Sequence, residues 1–331
     1  MKVLVTGATS LLGRAVVTRL QERGDEVAVF QRRPSGLGGA EHLGDVVDRA
    51  AVATAMAGVE AVVHLAARTM AVAIGPWAQF EETNVRGTQC VIDMAREAGV
   101  TRFVHVSSPS VASGGQSLVG APAAAADPDR ARGHYAKSKA QAELIALAAN
   151  SPDLAVVAIR PHLIWGPGDT QLVGRIVSRA RAGRLVIVGS GASLIDTIYV
   201  DNAADALVAG LDRAPLVGGR ALVVTNGQPR PVRELINRIV IAAGLEPPRF
   251  KVPYRLARTG GLAAEQIWEL LGREDDPPMT GFVAEQLSTA HWFDQRETRE
   301  ALGWEPAVTL AEGFRRLQEW FAAGRQGSGR S

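Results

Sequence analysis

MKVLVTGATSLLGRAVVTRL, residues 1–20, decides how the rest of the chain is read. Lys2–Thr6 is a short β-branched apolar run, and a loop holding Gly7 and Gly13 breaks it. From Leu12 onward the apolar residues Leu12, Val16, Val17 and Leu20 recur at helical spacing. Strand, glycine turn and helix open a βαβ unit. Gly7 can take a backbone shape that a Cβ forbids, and Gly13 lets the helix lie close to the sheet. The free N–H groups of the first helical turn face whatever sits in the loop, and phosphate is their best-suited guest. The turn therefore predicts a nucleotide site at Gly7, Thr9, Ser10, Leu11, Leu12 and Gly13.

Outward from this unit, strand and helix alternate. Residues 26–31, 60–65, 102–107 and 154–160 read as strands, with helices over 84–98 and 135–150. Such alternation predicts an α/β fold, a doubly wound parallel sheet whose strand ends carry the chemistry. The Ala/Gly/Pro-rich stretch 113–133 reads as a mobile loop, and 323–331 as a flexible tail. A chain of 331 residues with 47% apolar and 21% charged residues can bury a full core. Its 36 basic and 34 acidic residues give a net charge of +2 without a basic block, so nucleic acid is not an expected partner. The lone Cys90 cannot form an internal disulfide and suits a reducing compartment. The opening apolar run is too short for a signal peptide, and no segment reaches the ~18 apolar residues of a membrane span. A soluble, cytoplasmic protein is expected.

The end of the second strand bears on which dinucleotide is held. An acid there would accept hydrogen bonds from ribose hydroxyls and repel a 2′-phosphate; this chain has Gln31, Arg32 and Arg33. Two guanidiniums suit a phosphate, which favours NADP(H) over NAD(H). Asp45 and Val46, after a short strand-like segment, are placed to meet the adenine edge. Further along, Tyr135 and Lys139 stand four apart on one helix and project together. A nearby ammonium favours the phenolate and would lower the tyrosine's usual value near 10, giving an acid–base group for neutral pH. Ser107-Ser108-Pro109-Ser110, at a strand end, supplies hydroxyls to steady a substrate oxygen. No His/Cys/Asp spacing suggests a metal, and His64, His105 and His162 read as structural or cofactor-adjacent.

These residues resemble the extended short-chain dehydrogenase/reductases over residues 1–211, and more loosely beyond. The family's T-G-x-x-G-x-x-G appears as Thr6-Gly7-Ala8-Thr9-Ser10-Leu11-Leu12-Gly13, with Ser10 for the middle glycine. His64-Leu65-Ala66-Ala67 matches the segment lining the cofactor, and Asn84-Val85-Arg86-Gly87-Thr88 the helix-start motif whose Asn supports the active site. The resemblance implies Ser108 as catalytic serine, with Ser110 as the fallback, Tyr135 as acid–base and Lys139 as its partner and ribose contact. It also implies that Leu65, Ala66, Ala67, Asn84, Pro161 and His162 belong to the cofactor site.

Two departures bear on the substrate. Sugar-nucleotide epimerases and dehydratases of the family usually carry Asn where this chain has Leu163, and tend to carry Arg where it has Ile195. A diphosphate buried against these side chains would lack compensation, whereas an apolar ligand gains about 25 cal/mol per Å² covered. Arg160-Pro-His-Leu-Ile-Trp-Gly-Pro-Gly-Asp169 and Asp196-Thr-Ile-Tyr-Val-Asp-Asn202 are most similar to the 3β-hydroxysteroid dehydrogenase branch, especially bacterial reductases of 2-alkyl-3-oxoalkanoates. Phe250, Tyr254, Trp268, Leu271, Phe282 and Trp292 are candidates for a hydrophobic pocket. The expected organisation is a dinucleotide domain from 1–165 and 196–225, and a smaller substrate-binding part from 166–195 and 226–322. The expected partner is an apolar small molecule, with a homodimer left open. The alternatives are a sugar-nucleotide epimerase or dehydratase, and a non-catalytic NADP-binding regulator.

Overall fold

Alternate residues of the first strand point to opposite faces of a sheet, and the core is built on that alternation. In the computed structural model, which describes residues 1–69, 75–271 and 279–328, Val3 and Val5 pack with Leu12, Val16 and Leu20 on one face. Leu4 packs on the other with Val52, Met56, Val91 and Ile92. The first half runs β1 (Lys2–Thr6), α1 (Leu11–Glu22), β2 (Glu26–Gln31), β3 (Ala40–Leu43), α2 (Arg49–Ala55) and β4 (Ala61–His64). Then come α3 (Trp77–Phe80), a π-helical turn (Glu81–Arg86), α4 (Gly87–Glu97), β5 (Arg102–Val106), β6 (Leu118–Ala121), α5 (Gly133–Ala148) and β7 (Ala155–Pro161). The middle holds β8 (Ile164–Trp165), α6 (Leu172–Arg181), β9 (Ile187–Val188), β10 (Leu194–Ile195), β11 (Ile198–Tyr199), α7 (Val200–Val217) and β12 (Ala221–Val224). The last third is β13 (Arg230–Pro231), α8 (Val232–Ala242), β14 (Lys251–Val252), α9 (Tyr254–Leu270), α10 (Gly281–Gln286), β15 (His291–Phe293), α11 (Arg296–Leu302) and α12 (Leu310–Ser328).

The central sheet is parallel, in the order β12-β7-β5-β4-β1-β2-β3. Helices α1 and α7 cover one face, and α2, α4 and α5 cover the other. The doubly wound fold is as the alternation predicts. Strand order reverses at β1, where Thr6 lies opposite Phe30 on one side and His64 on the other, so the glycine turn opens into the crevice of a switch point. A third core joins Trp165, Ile187, Ile195, Ile236, Ile239, Phe314 and Leu317 beneath the second half of the chain.

Two expectations need correction. The 113–133 stretch is not a loop throughout, because β6 lies within it and pairs with β15 in a smaller sheet, β13-β10-β15-β6. Its partner strand is far away in sequence, His291 standing opposite Leu118, which local composition does not reveal. The 323–331 tail is helical to Ser328, because α12 continues past its packed turn at Phe314 and Leu317; residues 329–331 lie outside the described residues. Among the described residues no helix is long and apolar enough to cross a membrane.

Candidate active site

The first half of the site is the turn after β1. Gly7 has φ +74, and a Cβ there would lie 2.8 Å from Ala66 N. A Cβ on Gly13 would meet Gly7 O at 2.5 Å, so helix and turn touch through bare backbone. Ser10, the departure from the glycine pattern, caps the helix: its Oγ accepts from Gly13 N at 3.0 Å and donates to Gly7 O at 3.0 Å. The side chain folds into the turn instead of filling it. The amides of Leu11 and Leu12 have no carbonyl ahead of them in the helix, and Thr9 is exposed beside them. A bare, amide-lined cradle of this kind fits a dinucleotide pyrophosphate.

The wall of the crevice is held from behind. His64 is buried between Thr6 Oγ1 (2.8 Å from Nδ1) and Thr88 Oγ1 (3.1 Å from Nε2). The Thr88 hydroxyl donates to Asn84 O, so the ring donates through Nε2 and accepts at Nδ1. Burial holds this histidine down to about 3, neutral at any physiological pH. Asn84 is buried with its amide committed to Arg68 N, Arg68 O and Ser138 Oγ, tying the half-exposed Leu65, Ala66 and Ala67 to the π-helical turn and to α5. At the end of β2, Arg32 and Arg33 are exposed, and among the described residues neither has an ion-pair partner. Sequence reasoning missed Glu41, which faces this end from β3. Its Oε1 accepts from Gln31 Nε2, Ser35 N and Ser35 Oγ at 2.6–2.9 Å, so it is taken up within the loop. Asp45 is half-buried and Val46 buried, against Gly87 of α4.

The second half of the site lies where β5 ends beside α5. Ser108 caps a 3-10 turn (Pro109–Ala112). Its Oγ lies 3.0 Å from Ser110 Oγ, and Ser108 is the hydroxyl neighbour that favours the Tyr135 phenolate. Ser108, rather than Ser110, thus acts on the tyrosine. Lys139 is buried, and its Nζ donates to Val106 O at 2.7 Å and His105 Nε2 at 3.3 Å. Burial lowers it to about 8, opposed by Glu143. The expected lowering of the phenol does not hold in this geometry. Burial pushes Tyr135 above its ordinary value, and only the Ser108 bond works against that. The ammonium is tied to β5 instead of aimed at the phenol, so the tyrosine stays protonated at neutral pH.

Residues 3–224 match the NAD dependent epimerase/dehydratase family. The chain belongs to that family. It is 42% identical to a 2-alkyl-3-oxoalkanoate reductase of Stenotrophomonas maltophilia, over 98% of this chain and the whole of that one. A 3-beta-hydroxysteroid dehydrogenase of Mycolicibacterium neoaurum is 32% identical over 94% of this chain and 88% of that one. Among solved structures, the dTDP-glucose 4,6-dehydratase DesIV of Streptomyces venezuelae, with NAD bound, superposes with a TM-score of 0.76 at 25% identity, over 99% and 98% of the two chains. This family member is an NAD(P)-dependent oxidoreductase of the extended short-chain type.

Within the family frame, the two apolar departures separate. Ile195 is 4% exposed in the third core and carries no information about a ligand. Leu163 is 38% exposed and has φ +48, the only positive φ at a non-glycine among the described residues. Asn adopts that left-handed shape at less cost than a γ-branched leucine. Leu163→Asn is therefore expected to stabilise the fold by about 1 kcal/mol, read as a higher urea midpoint at unchanged slope. Next to it, His162 is buried edge-on to Phe293, with Nδ1 on Asp196 O and its backbone N–H on Val224 O at 3.2 Å. Pro161 is buried at the end of β7. Of the pocket candidates, Phe250 and Leu271 lie on the outer surface at 73% and 65% exposure, and the Phe282 side chain lies outside the described residues. Trp292 lies over Gly120 in a cleft of about 490 Å³ that includes Asp196, Gln295 and Arg299.

Proposed function

We propose that this enzyme uses NADP(H) to interconvert a ketone and a secondary alcohol on a large apolar substrate. A 2-alkyl-3-oxoalkanoate is the first choice and a 3β-hydroxysteroid type the second. The observation that carries the reading is the Tyr135 phenol, kept protonated by burial and under the influence of the Ser108 hydroxyl, one helical turn from the buried Lys139 ammonium. The name and near-complete coverage of the Stenotrophomonas relative support the substrate class, as does the exposed Leu163 at the strand end.

When bound, the dinucleotide supplies or accepts the hydride. Ser108 Oγ and the phenol together hold the carbonyl oxygen, with Tyr135 as donor. As negative charge develops on that oxygen, the phenol proton passes to it and leaves an alcohol. A phenol kept protonated by burial suits this direction, and the reverse step begins from the phenolate. Lys139 fixes the end of β5 through Val106 O and would be the residue to hold a nicotinamide ribose.

The test is NADPH oxidation measured in parallel with a long-chain 2-alkyl-3-keto acid, a 3-ketosteroid and a UDP-sugar. The keto acid should turn over fastest, and turnover of the UDP-sugar alone would reverse the choice. A second expectation concerns the cofactor. Arg32→Ala with Arg33→Ala should raise the KM for NADPH roughly 10- to 100-fold, the worth of one or two charge-assisted phosphate bonds, with a much smaller change for NADH. Equal losses for the two cofactors would remove the 2′-phosphate argument.

A further inference from the structure

Arg132 sits three residues before Tyr135, at the entrance to α5, and the hydride chemistry above gives it no task. Its NH1 donates to both carboxylate oxygens of Glu285, at 2.6 and 2.7 Å. Glu285 comes from α10, and its side chain is 12% exposed where that of Arg132 is 52% exposed. Gly115, with φ +92, covers the pair so closely that a Cβ there would collide with both the carboxylate and the guanidinium. Ser110, Ser113, Gly115, Arg132, Ala136 and Gln286 enclose one small cavity. Ser110 Oγ is 3.0 Å from Ser108 Oγ, so this cavity begins one hydroxyl away from the group that meets the phenol.

A guanidinium has five donors in a fixed fork, and Glu285 engages only NH1. Among the described residues, Nε and NH2 have no partner. The site thus already binds one carboxylate, from the chain itself, and leaves the Nε–NH2 edge of a half-exposed guanidinium uncommitted. We propose that this edge of Arg132, aimed by Glu285, receives the carboxylate of a 3-oxo acid whose ketone oxygen lies on Tyr135 and Ser108. The proposal rests on the ketoreductase reading and adds a specificity residue to it. Arg132 selects acids over neutral ketones of the same chain length. Glu285 acts only by positioning it.

The experiment compares a 2-alkyl-3-hydroxy acid with its methyl ester, each oxidised with NADP⁺, and takes the ratio of the two kcat/KM values within each purified enzyme. The wild type should prefer the acid, and Arg132→Gln should lower that preference about tenfold or more, as expected for a lost charge-assisted pair. Arg132→Lys, which keeps the charge without the fork, should give an intermediate ratio and serves if the glutamine variant folds poorly. Glu285→Gln should lower the ratio less than Arg132→Gln. An unchanged ratio in both arginine variants, even with both rates depressed, would make the pair a structural latch and overturn the subsite. A wild type that turns over acid and ester equally would also overturn it while leaving the ketoreductase reading standing. A wild type that turns over neither would overturn that reading itself.

Discussion

Tyr135→Phe is expected to lower kcat/KM for ketone reduction roughly 100- to 10,000-fold, the span that a positioned acid–base group supplies. Dinucleotide affinity should change far less. The phenylalanine ring fills the same space, so the loss isolates the phenolic proton and hydroxyl. Single-turnover reduction at saturating NADPH would separate the chemical step from binding, and unchanged turnover would reject the acid–base role. The pH profile carries a second signature. Lys139 is a cation below about 8 and loses its charge as pH rises through that value. The kcat/KM for reduction should therefore fall on the alkaline side from about pH 8. A free lysine would hold the rate more than two pH units further, to about 10.4.

Arg160→Met is expected to cost about 3–5 kcal/mol of stability, the penalty for stranding one member of a buried ion pair. Arg160 on β7 and Glu143 on α5 are 1% and 0% exposed. Arg160 Nε donates to Glu143 Oε2 at 2.8 Å, NH2 donates to Oε1, and NH1 donates to Ala124 O at 2.7 Å. The single variant strands the Glu143 carboxylate in the core without its hydrogen-bonded partner. Arg160→Met combined with Glu143→Leu should recover most of the loss, since replacing both charges removes the desolvation penalty as well. Urea unfolding of the two variants against wild type measures the difference. By contrast, the exposed Arg249–Glu246 pair should be nearly silent when broken. The double variant has a chemical consequence too. Glu143 lies one turn beyond Lys139 and supports its charge, so its removal should shift the alkaline limb of the rate profile to lower pH.

Legibility in the sequence followed the range of the interactions. The βαβ opening and the catalytic helix are local objects. Their glycines, their 3.6-residue spacing and the Tyr135–Lys139 interval are all contained within one or two elements. The helix over 135–150 appears as Gly133–Ala148 and the strand over 154–160 as Ala155–Pro161. What stayed hidden depends on residues far apart along the chain. β6 is defined by β15, Glu143 by Arg160, Arg132 by Glu285, and the spent carboxylate of Glu41 by a loop that composition left open. The direction of the Tyr135 shift was hidden for the same reason, because helical spacing brings an ammonium near but does not show that Val106 O has captured it. Leu163 and Ile195 read alike as apolar substitutions, and only their surroundings separate an exposed strand end from core.

The sheet is completed out of turn. β12 forms the outer edge on β7, and α7 seals the face beneath, yet both follow a stretch of chain that has already gone off to build the third core. The polypeptide leaves its first core, comes back to it at α7 and β12, and returns once more at α11, where Leu302 and Trp304 pack into it. A chimera joined at a single point after β7 would carry a bare strand edge and an uncovered face into the hybrid. Recombination, natural or engineered, that exchanges the third core must therefore replace separate segments at once and leave the returning pieces between them in place.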